Sequence, residues 1–168
     1  MALLDEQLVD EWLNRKGFFT MRGLKVGNDE IDLLAVRMID QLECWHVEVQ
    51  VSYRPIGYVG GDNNARRRTP EEIQLGVERW VERKYTSTRK VARRVAVLPS
   101  AQWKYVFVHG VLKDESELEY MTRLGVTPIS YKQVLNELRA APAGNASSSL
   151  GSDITEILRY LENDCKKE

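Results

Sequence analysis

EIDLLAVR at residues 30–37 and CWHVEVQVSY at residues 44–53 are two short runs rich in β-branched and aliphatic residues, the composition of strands. Both carry acids where a buried strand should hold none. Period-two alternation puts His46, Glu48, Gln50 and Ser52 on one face of the second run, with Val47, Val49 and Val51 on the other. In the first run Glu30, Asp32 and Leu34 share a face opposite Ile31, Leu33 and Ala35. A carboxylate among such neighbours is costly unless something compensates it. With a turn at Asp40-Gln41 the runs form a hairpin, and Asp32 and Glu48 can converge across it. Converging carboxylates repel, and a divalent cation relieves the repulsion. Mg²⁺ or Mn²⁺ suits such a site; Mg²⁺ takes oxygen ligands and keeps several waters. The alternative is a buried ion pair of each acid with Arg22 or Lys25 from the preceding strand.

Before the hairpin, Leu4, Leu8 and Trp12 recur at helical spacing, with Val9 and Leu13 widening the stripe, so a helix is expected over Leu3–Arg15. Gly17 ends it, Phe18–Val26 is extended, and Gly27-Asn28-Asp29 turns the chain. After the hairpin, residues 53–68 are a loop. Thr69-Pro70-Glu71-Glu72 then opens a helix with a capping box, and Ile73, Val77, Trp80 and Val81 form its buried face. Residues 86–100 fit a short helix or a strand at Arg94–Leu98. Lys104–Val111 is a strand. Asp114-x-x-Glu117 boxes a helix ended by Gly125, Val126–Ile129 is a short strand, and Ser130-x-x-Gln133 opens a helix to Arg139. Trp12, Trp80 and Trp103 fall on apolar faces as core residues. The expected class is α/β: a mixed sheet flanked by helices, an αβββαβ core plus C-terminal helices. Residues 1–139 form the main domain, 140–152 (AAPAGNASSSLGS) a flexible linker, and 153–168 an amphipathic helix with Ile154, Ile157, Leu158 and Leu161 on one side.

The chain has 168 residues, 43% hydrophobic and 29% charged, which suits one globular domain with a real core. No apolar run approaches the ~20 residues of a membrane span. The N-terminal stretch turns acidic too early for a signal peptide, so a cytoplasmic location is expected. Two cysteines without C-x-x-C spacing and two histidines argue against a zinc site. The net charge of −1 hides an asymmetry: residues 66–94 hold ten Lys/Arg and four Asp/Glu, a balance of +6 against −7 elsewhere. Such a stretch fits a phosphate-binding face, or a solvated helix with i,i+4 ion pairs. Arg66, Arg67 and Arg68 are adjacent and repel one another without an anion, so they are candidate phosphate contacts. Arg54 and Tyr58 mix cationic and aromatic character suited to nucleic-acid contact and base stacking. His46 shares the face of Glu48 and contacts substrate or acts as a structural donor. His109 is structural, and Asp29 and Glu30 belong to the turn and strand edge, where either could assist the site.

Taken in order, Glu6 in the helix DEQLVDEWLNRKGFF, Asp32 in NDEIDLLA and Glu48 in HVEVQVS give the sequence a pattern that resembles the PD-(D/E)xK phosphodiesterases, the restriction-endonuclease-like superfamily. The helix segment, and Tyr58-Val59-Gly60 before a basic helix, are similar to archaeal Holliday junction resolvases. The resemblance spans residues 3–85. It implies a restriction-endonuclease-like fold and Mg²⁺- or Mn²⁺-dependent hydrolysis of phosphodiester bonds in DNA, with branched or structured DNA a candidate substrate and RNA left open. Asp32, Glu48 and the backbone carbonyl of Val49 would ligate the metal. Glu6 would help through a second metal or a bound water, and Gln50 would position the nucleophilic water. It also makes a homodimer an expected partner state. The chain departs from the pattern twice: Gln50 stands where the family usually has Lys, and Ile31 where a proline usually precedes the first acid. Glutamine can orient a water but supplies no charge. Arg66–Arg68 and Lys84 are candidates to replace it. Two alternatives belong to other classes: a catalytically impaired nuclease fold that binds nucleic acid, and a small assembly protein whose last helix docks on a protein partner.

Overall fold

The computed structural model describes residues 2–51, 57–59, 66–140, 153, 156, 157 and 160. Its elements are α1 (Ala2–Arg15), β1 (Phe19–Val26), β2 (Asp29–Met38), β3 (Leu42–Gln50), α2 (Pro70–Val81), α3 (Thr88–Val97), β4 (Trp103–His109), α4 (Ser116–Arg123), β5 (Val126–Ser130) and α5 (Tyr131–Ala140). A π-helical segment, Glu82–Thr86, continues α2. The strands form one five-stranded sheet in sequential order. β1–β2 and β2–β3 are antiparallel, β3–β4 and β4–β5 parallel. The fold is α/β, a mixed sheet flanked by helices. Among the described residues no helix is long and apolar enough to cross a membrane.

Helices cover both faces of the sheet. On one, Leu8, Val9, Trp12 and Leu13 of α1 and Val134 and Leu138 of α5 pack on Leu33, Ala35, Val47, Val106 and Val108. On the other, Ile73, Val77, Trp80 and Val81 of α2 and Met121 of α4 cover Phe107 and Val126. Burying each such aliphatic or aromatic side chain contributes about 1.5–3 kcal/mol, so the two faces supply most of the driving force. α1 and α5 are also joined by hydrogen bonds: Trp12 Nε1 donates to Glu137 Oε2 (2.7 Å) and the Tyr131 hydroxyl to Asp5 Oδ1 (3.0 Å). α1 stops where expected. Gly17 takes a left-handed φ of +83°, and the Phe18 N–H returns to the Leu13 carbonyl at 3.1 Å.

The α2 capping box forms as its residue types dictate. Glu72 N–H donates to Thr69 Oγ1 (3.3 Å), and Thr69 N–H to Glu72 Oε2 (2.9 Å). Residues 88–97 are helix, not strand. The expected box at Asp114 is not made. Asp114 Oδ1 accepts from Ser116 N–H, but Glu117 turns inward, where its Oε1 accepts from Val59 N–H at 2.7 Å. β3 ends at Gln50, short of the expected Tyr53, which lies outside the described residues together with Ser52. Most of the linker lies outside them too. Of the expected C-terminal helix, Asp153, Glu156, Ile157 and Tyr160 are helical and exposed.

The alternation read from β2 breaks at Asp32. Ile31 packs with Leu24, Val26 and Leu34, while Leu33 joins the α1 side. β1 faces this point with Gly23, whose φ of +59° suits glycine. The β2–β3 ladder runs from Met38↔Leu42 to Leu33↔Val47 and goes no further. Asp32 and Glu48 therefore stand where the two strands separate.

Candidate metal centre

At this fork a side chain replaces the ladder: Val49 N–H donates to Asp32 Oδ2 at 2.8 Å. That bond fixes the carboxylate of Asp32, which is 7% exposed. Glu6 of α1 and Glu30 of β2 complete a group whose carboxylate oxygens lie within 4.8 Å of Asp32 and of one another. Burial and the charge of Glu48 raise the Asp32 pKa from 3.8 to about 7, against the opposing pull of Lys84 and the Val49 amide. Burial and the charges of Asp32 and Glu30 likewise raise Glu6 from 4.5 to about 7. Among the described residues neither is ion-paired; Arg22 goes to Asp10 (3.3 Å) and Lys25 to Glu30 (2.6 Å). The alternative of Arg22 or Lys25 neutralising Asp32 or Glu48 is thus not realised. Three crowded carboxylates, two of them resisting ionisation, form an oxygen-only donor set that fits a hard divalent cation.

Glu48 meets Asp32 as the hairpin predicts, acting on it by charge and side-chain hydrogen bonding, and takes further partners of its own. It is 1% exposed, and both oxygens are taken. Oε1 accepts from Lys90 Nζ (3.0 Å) and lies 3.0 Å from His46 Nε2; Oε2 accepts from Lys84 Nζ (2.5 Å). Asp32 thus stands between Glu48 and the acidic group of Glu6 and Glu30, and Glu48 also holds a lysine pair. The physical reason is that a fully buried carboxylate needs hydrogen-bond donors and opposite charge, and the helices supply both. Burial opposes the charge on Lys84, but the Glu48 and Asp32 carboxylates outweigh it and raise its pKa. Val49 meets Asp32 through its amide N–H.

Lys84 reaches Glu48 from the π-helical segment, so of the cations weighed as replacements for the missing motif lysine this one lies at the site. π turns inside helices recur at functional positions because they re-aim side chains. Gln50 is exposed at the end of β3, and its carbonyl accepts from Gly110 N–H at 3.1 Å. Tyr58 does not offer a stacking face. It is 5% exposed, its hydroxyl accepts from Arg68 N–H (3.0 Å), and Arg68 and Lys113 lie over its ring at 5.1 and 4.8 Å. Arg66 is exposed and paired with Glu72, Arg67 is exposed, and Arg68 is half-buried. Arg54 lies outside the described residues.

Two participants escaped the sequence reading, and a third, Glu30, reads first as a strand edge and only then as an assisting acid. Lys90 and Arg94 looked like members of a solvated basic stretch, yet they are 1% and 4% exposed. Their i,i+4 spacing among Val91, Ala92, Val95 and Ala96 was the available signal, since it gives them a common helix face. Lys90 Nζ also donates to the Glu30 carbonyl at 2.5 Å, tying α3 to the start of β2.

No family model matches the chain, and no curated protein matches it. Among solved structures, the crystal structure of a protein of unknown function, AF1548, is similar over 89% of this chain and 73% of its own length, with a TM-score of 0.50 and 14% identity. What that likeness shows is the fold, an α/β protein with a mixed sheet between helices.

Proposed function

We propose that the protein is a metal-dependent nuclease of the PD-(D/E)xK kind, hydrolysing phosphodiester bonds in DNA. The observation that carries this reading is the close group of Glu6, Glu30 and Asp32, of which Glu6 and Asp32 have no ion-pair partner among the described residues, beside the Glu48–Lys84 pair. Asp32, Glu6 and Glu30 would hold Mg²⁺ or Mn²⁺, which supplies Lewis-acid charge and an acidified water when bound. The Val49 amide keeps Asp32 oriented. Lys84 provides the positive charge that Gln50 cannot, and Glu48 Oε2 holds it in place. The Gln50 side chain, exposed at the strand end, orients a water or a phosphate oxygen. Arg66 and Arg67 present guanidinium groups to the DNA backbone. A cytoplasmic setting suits Cys44, a free buried thiol.

Linear, single-stranded, flapped and four-way DNA incubated with Mg²⁺ or Mn²⁺ tests the reading. Cutting should need the metal and disappear in Asp32→Ala. Undiminished cutting by that variant overturns the assignment. A second reading, a nucleic-acid-binding module without turnover, draws on the occupation of both Glu48 oxygens. Metal-independent DNA binding with no cutting of any substrate selects it.

A further inference from the structure

α3 is inverted relative to an ordinary amphipathic helix. It buries Lys90 and Arg94 and leaves Val91 and Val95 40% and 51% exposed. Buried cations persist only where acceptors meet them. Arg94 Nη1 lies 2.7 Å from the Tyr85 carbonyl and 2.7 Å from His46 Nδ1, and Nη2 lies 3.3 Å from the Tyr105 hydroxyl. Tyr85 belongs to the π-helical segment, where bonding shifts to the spacing of Ser87 N–H to the Glu82 carbonyl (2.8 Å). A guanidinium has donors only, so His46 Nδ1 must be the acceptor. A neutral imidazole then carries its one proton on Nε2, which is 3.0 Å from Glu48 Oε1. The direction of every bond in the chain from Arg94 to Glu48 is thereby fixed. His46 is 0% exposed, so bulk solvent does not reach it.

We infer that Arg94 and His46 are positioning residues that hold Glu48 by Oε1, in the Nε2–H tautomer of His46, and so aim Oε2 at Lys84. Lys90 secures the same Oε1 from the neighbouring turn of α3. Of the two Glu48 oxygens, Oε1 faces the fully buried Lys90 and His46, while Oε2 faces Lys84, which is 23% exposed and the cation open to a substrate. The working role of Oε2 and Lys84 rests on the proposed function; the tautomer and its control by Arg94 do not.

The full chain has two histidines, so a ¹⁵N-histidine-labelled sample gives a simple long-range ¹H–¹⁵N spectrum, with His109→Gln assigning the pair. His46 should appear as the neutral Nε2–H tautomer, and Arg94→Met should convert it to a mixture. In cleavage, His46→Leu should lose about 10- to 100-fold, as when an orienting partner of a site residue is removed. His46→Gln, which keeps a donor and an acceptor, should restore most of that. An Nδ1–H tautomer or imidazolium in the unmodified protein overturns the inference, as does an Arg94→Met spectrum identical to it. Glutamine no better than leucine overturns it as well. If no DNA is cut by the unmodified protein, the nuclease reading fails while the spectrum still decides the tautomer, and if Arg94→Met does not fold, the unmodified protein's spectrum decides alone.

Discussion

Replacing Asp32 with Asn tests the electrostatics of the candidate centre most directly. Asn keeps an oxygen for the Val49 N–H but carries no charge. The Asp32 pKa is raised from 3.8 to about 7, so the folded state holds a proton that the unfolded state has already released. The sign follows. This group's contribution to stability is full below about pH 4 and is lost progressively as pH rises to about 7. Each tenfold change in proton affinity is worth about 1.4 kcal/mol, so the full loss is about 4 kcal/mol, of which about 2 kcal/mol falls between about pH 5.5 and 8. Asp32→Asn removes that portion of the slope. Its stability relative to the unmodified protein should therefore grow by about 2 kcal/mol over that interval, whatever offset the amide introduces. At 168 residues this is roughly 4–8 °C in Tm. Thermal unfolding of both proteins at the two pH values, without metal, measures it. Adding Mn²⁺ should raise the Tm of the unmodified protein at about pH 8 and leave the variant unmoved. A stability difference constant across pH would refute the claim that Asp32 is held against its own ionisation.

Other expectations use different measurements. Because Glu6 and Asp32 must ionise to bind a cation, and both have pKa values raised to about 7, Mn²⁺ affinity should rise from about pH 5.5 to 8 and binding should release protons. Calorimetry in two buffers of different ionisation heat detects the release, and equal heats would deny it. Lys90→Met strips one ammonium from the buried Glu48 and leaves the Glu30 carbonyl without that donor, and should cost about 3 kcal/mol or more in denaturant unfolding. A loss below about 1 kcal/mol would show that Lys90 is a bystander. Changing Arg66 and Arg67 to Ala should flatten the slope of log affinity against log salt for DNA by about 2. An unchanged slope removes both from the phosphate-binding face.

Local chemistry made much of this protein legible without coordinates. Thr69, Pro70 and Glu72 start α2 through bonds made within one turn, and Gly17 ends α1 through its own left-handed backbone. Alternation predicted the buried valine of β3 and placed Glu48 on the face opposite it, because side-chain direction along a strand follows from pleat alone. Asp32 and Glu48 stood out as acids within strands, whereas Glu6, on a helix, stood out only through the family resemblance. Partner choice was not local. Asp32 and Glu48 meet just past the last paired residues of β2 and β3, where the strands part; Asp32 also turns to Val49, Glu6 and Glu30, and Glu48 also receives Lys84, Lys90 and His46. The lysines arrive from a π turn and an inverted helix whose placement depends on how α2 and α3 lie across the sheet. Charge is a long-range property, and a buried carboxylate takes whichever donors the packing brings within reach; only the tertiary structure could decide which ones those were.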